Sequence, residues 1–236
     1  MAQSVAQNMA ANAKGISMWF DRINWADIGT ALGQTLTMVG ISLSLTILIG
    51  LPLGILLFVT GKGQPFARPI GYGALSFVLN IIRSVPFIIL LIVLMPVTVL
   101  ITGTSLGIRG VIFPLVVGTS PFFARLVETA LREVDRGVIE ASLAMGASPA
   151  QTIFRAVLPE ALPGLIAAVT VTAIVLVDYT AMSGAIGGGG LGDLAIRYGY
   201  HRFQTEIMLI CVVVLILLVQ LIQASGNSLV TRFTRR

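Results

Sequence analysis

The sequence predicts an all-α integral membrane protein with five membrane-spanning helices, and three observations carry this prediction. Hydrophobic residues make up 56% of the 236 residues and charged residues only 11%, whereas soluble domains contain about 25% charged residues. Five long apolar stretches occur along the chain, and a helix needs roughly 20 apolar residues to cross a bilayer. These stretches are continuous and do not alternate between polar and apolar residues, which argues against a β-barrel.

The apolar stretches divide the chain into an N-terminal segment 1–34, a transmembrane domain 35–225 and a basic tail 226–236. Within the N-terminal segment, Ile16, Trp19, Phe20 and Ile23 recur at helical spacing and predict an interfacial helix. A disordered tail is the alternative, and no cleaved signal peptide is expected. The five predicted spans are Thr35–Thr60, Ala74–Thr102, Gly110–Val127, Ala161–Ala181 and Glu206–Ala224.

The lysines and arginines predict the orientation of the chain in the membrane. With the N-terminus outside and the C-terminus in the cytoplasm, ten of the 15 basic residues lie on or near the cytoplasmic side and five lie outside. This distribution obeys the positive-inside rule. The net charge of +5 is therefore an orientation signal, and no nucleic-acid-binding motif accompanies it.

Few kinds of chemistry remain open to so apolar a chain. The single cysteine, Cys211, and the single histidine, His201, leave no basis for a disulfide framework or a metal site. Neither Lys14 nor Lys62 lies in a P-loop, so we expect no ATP hydrolysis and no bound cofactor on this chain. A transport function would need either an ATPase partner or an ion gradient.

The loop between the third and fourth predicted spans (residues 136–163) has clear helix boundaries. Gly146 can end one short helix in a left-handed conformation. Ser148 and Pro149 can begin a second helix, in which Gln151 completes a capping box. That second helix should end near Leu158, because Pro159 disfavours the α conformation at the preceding residue.

Charged and small residues in and beside this loop indicate a surface for a partner. Two pairs at i,i+4 spacing, Glu128–Arg132 and Arg136–Glu140, favour helix that extends into water. Small and apolar side chains would allow another surface to approach closely. A plain loop that folds back on its own helices is the alternative, and local chemistry does not choose between them. The small and apolar residues are Ala141 and Ala144, and Ile139, Leu143 and Met145.

The pattern of Glu140-Ala141-Ser142, then Gly146, then Val157-Leu158-Pro159 resembles the EAA signature of ABC-importer permeases. In that family the loop is a coupling helix that docks on a cytoplasmic ATPase subunit. Ser142 departs from the signature, which more often has alanine there, but the residue is still small. The resemblance implies an ATPase-coupling role for Glu140, Ala141, Ser142, Leu143, Gly146, Ala147 and Pro159.

A wider resemblance extends from about Thr35 to Ala224. The stretches 80–87, 121–125 and 189–192 are similar to the permease subunit of methionine-uptake ABC importers. That family implies a homodimer of five-helix subunits in the bacterial inner membrane. It also implies two ATPase subunits that bind ATP and Mg, and an extracytoplasmic methionine-binding lipoprotein. The alternatives are a permease for another small amino acid and a gradient-driven carrier.

The glycine-rich stretch after the fourth predicted span matches a dinucleotide fingerprint at Gly187, Gly189 and Gly192. The stretch leaves a membrane span and follows no strand, so a nucleotide site is not expected. A tight turn is the structural interpretation, and a gate or a receptor contact is the functional one. Candidate pathway or gate residues are Tyr179, Met182, Ser183, Gly189 and Gly190.

Two aspartates leave a further alternative open. The chain contains the motif Gly-x-Gly-Asp, which ends at Asp193, and a second aspartate, Asp178, in the preceding span. This combination is typical of intramembrane aspartyl proteases, in which two carboxylates share a proton. Asp193 instead follows a polar glycine-rich loop, and Asp178 precedes Tyr179 rather than following it. Asp178 is either a pathway residue or a hydrated residue near the outer interface.

Together, these motifs and resemblances predict an ATP-driven methionine permease without catalytic residues.

Overall fold

A computed structural model describes residues 24–61 and 69–234 of the chain. These residues form ten α-helices joined by short 3₁₀ and π turns, with no strand among them. The all-α prediction is therefore confirmed, whereas the predicted interfacial helix around Trp19 lies outside the described residues. The helices are α1 (Trp25–Thr60), α2 (Pro69–Ser84), α3 (Phe87–Thr102), α4 (Gly107–Arg132), α5 (Arg136–Ala144), α6 (Pro149–Thr152), α7 (Leu158–Glu160), α8 (Leu162–Ser183), α9 (Gly190–Leu194) and α10 (Thr205–Thr234).

Four of these helices, α1, α4, α8 and α10, are long and apolar enough to cross a membrane, and α2 with α3 forms a fifth unit. Helix α1 begins at Trp25, where Asn24 accepts a hydrogen bond from the Ala26 amide, so it starts well before the expected Thr35. Helix α10 continues to Thr234. Most of the predicted tail is thus helical and continuous with the last span.

The second predicted span, Ala74–Thr102, is not one helix. Helices α2 and α3 meet at an angle of 105°, with the break at Val85. Pro86 lacks an amide hydrogen and disfavours helix at Val85, and its own carbonyl accepts the first hydrogen bonds of α3 from Ile89 and Leu90. The predicted span is therefore bent, and proline is the physical reason.

The core of the molecule is the contact between α1 and α4. Added Cβ atoms on Gly50 and Gly54 would come within 2.8 Å of Phe123 Cδ1 and 2.6 Å of Val127 Cβ, respectively. Two glycines four residues apart thus let the two helix backbones approach each other closely. Phe123 and Val127 are almost fully buried, so this close approach holds α4 in the centre of the subunit.

Helix α10 contributes little to this core. Only 6% of its most apolar stretch is buried within the chain, and Leu217 and Leu221 are more than half exposed. Cys211 is fully buried, as expected for a small apolar filler. The rest of the α10 surface is available to lipid or to another protein chain.

Candidate functional site

The turn at Gly146 has the conformation that the sequence predicted. Gly146 has φ +82°, and its amide donates to the Leu143 carbonyl at 2.9 Å. The Ala147 amide reaches back to the Ser142 carbonyl at 3.2 Å, which completes a Schellman motif. Helix α5 therefore ends in a sharp reversal that favours glycine at this position.

Side chains then hold the two arms of this turn together. The Ser148 hydroxyl accepts a hydrogen bond from the Gln151 amide and the Gln151 side chain accepts one from the Ser148 amide, so the predicted capping box is present. The hydroxyls of Ser142 and Thr152 lie 3.1 Å apart and are buried. Ser142, the departure from the EAA signature, thus cross-links α5 to α6. These hydrogen bonds fix the turn between α5 and α6.

The prediction that the second helix ends near Leu158 is wrong. A π turn (Ile153–Val157) follows α6 directly, and Leu158 stays helical with φ −63° and ψ −44°. Its amide donates to the Ile153 carbonyl five residues back. This wider turn accommodates Pro159, which has no amide hydrogen to contribute. The chain continues through α7 into α8, so helical turns connect the loop to a span.

The 136–163 loop exposes apolar side chains outside the spans. Met145 is 83% exposed and Phe154 64% exposed, and Ala141 is exposed too. Glu140 is exposed, and within the described ranges it forms no ion pair with Arg136. An exposed apolar patch with charged residues at its edge is typical of a protein interaction site.

A buried ionic cluster lies where α4 ends and this loop begins. Glu128 is 4% exposed and accepts from Arg125 Nη1 at 2.7 Å and from Arg132 Nη2 at 2.8 Å. The Tyr72 hydroxyl of α2 donates to the same carboxylate at 3.1 Å. Arg125 also donates to Asn80 Oδ1 at 3.2 Å. The predicted Glu128–Arg132 pair is present, and the whole cluster ties α2 to α4.

The glycine-rich turn (residues 184–192) lies at the opposite end of α8. Gly189 and Gly190 have φ of +82° and +80°. The Gly190 amide donates to Gln34 Oε1 at 2.8 Å, and the Leu191 amide donates to Thr35 Oγ1 at 2.9 Å. The tight turn is thus present and is attached to α1 by two hydrogen bonds. Its predicted role as a gate remains a prediction.

The other candidate pathway residues occupy different environments on α8. Tyr179 stacks on Phe87 at the start of α3, with ring centroids 4.0 Å apart. Met182 is 47% exposed, and Ser183 is fully buried and donates to the Thr180 carbonyl. Only Tyr179 contacts the bend between α2 and α3 directly. Tyr179 lines a small cavity with Phe87, whereas Gly190 lines another one beside α1.

The two aspartates of the protease alternative lie in different places. Asp193 is paired with Arg197 at 3.1 Å in a small cavity beside α1. Asp178 is exposed on α8 and lines a separate crevice between α8 and α10. The two carboxylates therefore do not face a common site. The Arg83 guanidinium lies 5.9 Å from the centre of the Phe122 ring.

Several residues at these sites were not found by sequence reasoning. Tyr72 and Asn80 reach Glu128 and Arg125 from another helix, and their distance along the chain hides this contact. Phe154 is another, since nothing in the sequence distinguishes it from other apolar residues near a span. Its exposure outside the apolar stretches is visible only once the turn geometry is known. The Ser142–Thr152 contact could have been predicted, since two residues with hydroxyl side chains flank the predicted turn.

Comparison with known proteins places these features in a family. The family of binding-protein-dependent transport system inner membrane components matches residues 50–236. A probable D-methionine transport system permease protein of Vibrio cholerae is 48% identical over 221 residues, covering 94% of this chain and 98% of that protein. The methionine import system permease protein of Bacillus subtilis is 44% identical over 181 residues, covering 77% and 82%.

Solved structures agree with this assignment. The MetNI methionine ABC transporter in an inward-facing conformation contains a chain with a TM-score of 0.88 and 47% identity, covering 89% of this chain and 98% of that one. A chain of an amino acid ABC transporter with histidines shares the fold, with a TM-score of 0.70 at 17% identity. The resemblance first seen in the 136–163 loop is confirmed, and the chain belongs to the family of inner membrane components of binding-protein-dependent transport systems.

Proposed function

We propose that this chain is the permease subunit of an ATP-driven importer that carries methionine across the bacterial inner membrane. The observation that supports this most directly is the similarity of nearly the whole fold to a chain of the MetNI methionine ABC transporter. Relatives from Vibrio cholerae and Bacillus subtilis are named for methionine transport. Two copies of the chain would enclose one translocation pathway between them.

The exposed surface of the 136–163 loop is the proposed docking site for a cytoplasmic ATPase. Met145 and Phe154 supply apolar contact area, while Glu140 and Arg155 can set the register of the partner. The Schellman turn and the Ser142–Thr152 contact fix the turn between α5 and α6. A fixed turn can transmit force, whereas a flexible one would absorb it. ATP and Mg would be bound by the partner and not by this chain.

In this proposal the loop side is cytoplasmic and the N-terminus lies outside. Closure of the ATPase subunits would shift the loop, and the continuous helical path through α7 would move α8 with it. The Glu128 cluster would carry the same displacement to α2. The cavity would then pass from an inward-facing to an outward-facing state by a two-state shift in population. A methionine-binding lipoprotein would deliver substrate near the glycine-rich turn.

Reconstitution in proteoliposomes tests the proposal. The chain is combined with its ATPase and substrate receptor, and uptake of radiolabelled L- and D-methionine is measured with and without ATP. We expect uptake only with ATP and all components present. Uptake by this chain alone, driven by an ion gradient, would refute the ATP-driven function. Uptake of another small amino acid in preference to methionine would refute the substrate.

A further inference from the structure

We infer that the crevice between α8 and α10 is a transport subsite in which Asp178 binds the α-ammonium group of the substrate. This inference rests on the proposed import of an amino acid. The crevice has a volume of about 260 Å³. It is lined by one carboxylate and one amide among apolar side chains, namely Asp178 and Gln220 with Val177, Val212, Ile216 and Val219.

The position of Asp178 within a span calls for a partner of opposite charge or for water. A charged side chain that faces lipid is costly, so ionisable residues in spans usually face a cavity or a pathway. Asp178 is exposed on the surface of this chain. Within residues 24–61 and 69–234, no lysine, arginine or histidine forms an ion pair with it. Within these ranges its carboxylate is therefore available to a positively charged group of a ligand.

The exposed stripe of α8 that carries Asp178 extends over several turns. Val171 and Met182 are 42% and 47% exposed, and they lie seven residues before and four residues after Asp178. This spacing places all three on one side of the helix. A stripe with a carboxylate between apolar residues suits the wall of a pathway enclosed by two subunits better than a lipid-facing surface.

Asp178 lies five residues before Ser183, the last residue of α8, which corresponds to roughly 8 Å along the helix. Gln220 lies 15 residues after Thr205, the first residue of α10, which corresponds to roughly 22 Å along the helix. The hydrocarbon core is roughly 30 Å thick. A crevice lined by both Asp178 and Gln220 therefore extends towards the middle of the bilayer.

The chemistry of the crevice matches an amino acid with an apolar side chain. The Asp178 carboxylate is an acceptor for the ammonium group, and the Gln220 amide can donate to the α-carboxylate. The valine and isoleucine side chains offer an apolar wall for a thioether. A cavity of about 260 Å³ is smaller than the roughly 300–1,000 Å³ of typical drug-sized sites, as expected for one small molecule.

The test compares Asp178→Asn, Asp178→Glu and the wild type in the complete importer with the same ATPase and receptor. Uptake of methionine is measured at concentrations below saturation, together with ATPase activity stimulated by the loaded receptor. We expect Asp178→Asn to lower uptake by about 10- to 100-fold, as for loss of a hydrogen bond to a charged group. Stimulated ATPase activity should persist, and Asp178→Glu should restore part of the uptake.

Asp193→Asn is the matched control, because it removes the same charge from an aspartate outside the crevice. Uptake by Asp178→Asn within twofold of the wild type would overturn the subsite. Failure of Asp178→Asn to assemble with its partners would also overturn it, since Asp178 would then be a subunit contact. Absence of methionine uptake by the wild type would instead contradict the proposed function itself.

Discussion

Replacement of Glu128 by glutamine should destabilise the subunit strongly, because the carboxylate neutralises two arginines at once. Removing one partner of a buried ion pair costs roughly 3–5 kcal/mol. The Arg125 side chain is only 19% exposed, but that of Arg132 is 42% exposed, so the pair with Arg132 contributes little. We therefore expect a loss of about 2–4 kcal/mol, mostly from Arg125.

Thermal unfolding in detergent measures this loss. For a chain of this size, 1 kcal/mol corresponds to roughly 2–4 °C, so Tm should fall by roughly 5–15 °C in Glu128→Gln. Glu133→Gln is the matched control, since it makes the same chemical change at an exposed residue five positions later. Equal Tm shifts in the two variants would refute the reasoning, because burial and pairing would then have no energetic effect.

Three further substitutions test other parts of the structure. Gly146→Val should uncouple ATPase activity from uptake, because a β-branched residue at φ +82° is strained by roughly 1–3 kcal/mol. The control is Gly103→Val, which introduces the same residue at φ +79° and should leave coupling intact. Gly54→Ala should reduce the yield of folded protein, since its Cβ would lie 2.6 Å from Val127, whereas Gly40→Ala meets nothing within 4 Å. Asp193→Asn should leave uptake largely intact, because its ion pair is partly exposed and worth at most about 1 kcal/mol.

Each of these has an outcome that would contradict it. Normal coupling in Gly146→Val would mean that the turn can change conformation without consequence for the ATPase. Equal yields for Gly54→Ala and Gly40→Ala would mean that α1 and α4 do not approach as closely as described. Loss of uptake in Asp193→Asn would assign this aspartate a role in transport.

Local signals in the sequence predicted the loop geometry well, because turns and caps depend on a few adjacent residues. Gly146 and the Ser148–Gln151 capping box are examples. The local structure differs between two prolines, Pro86 and Pro159. At Pro86 the predicted span Ala74–Thr102 bends by 105°, whereas Pro159 lies in a helical path that was expected to end near Leu158. The local rule does not include the surrounding packing, which decides between a bend and a π turn.

Contacts between distant parts of the chain were the least predictable. Tyr72 and Glu128 are 56 positions apart, and nothing near either residue indicates the other. The same holds for the attachment of the glycine-rich turn to α1, which spans 156 positions. The sequence showed that the turn is tight, but its attachment depends on how the spans pack, which their uniform hydrophobicity leaves open.

The attachment of the glycine-rich turn to α1 has a consequence for biosynthesis. Gln34 and Thr35 are synthesised with the first span, but the amides that bind them come 156 residues later. At roughly 5–20 residues per second, the ribosome needs about 8–31 s to reach Gly190. During this interval the first span has been synthesised, but the amides of Gly190 and Leu191 are not yet present. The two hydrogen bonds can therefore form only after most of the chain has been made, which makes them a late step in assembly of the subunit.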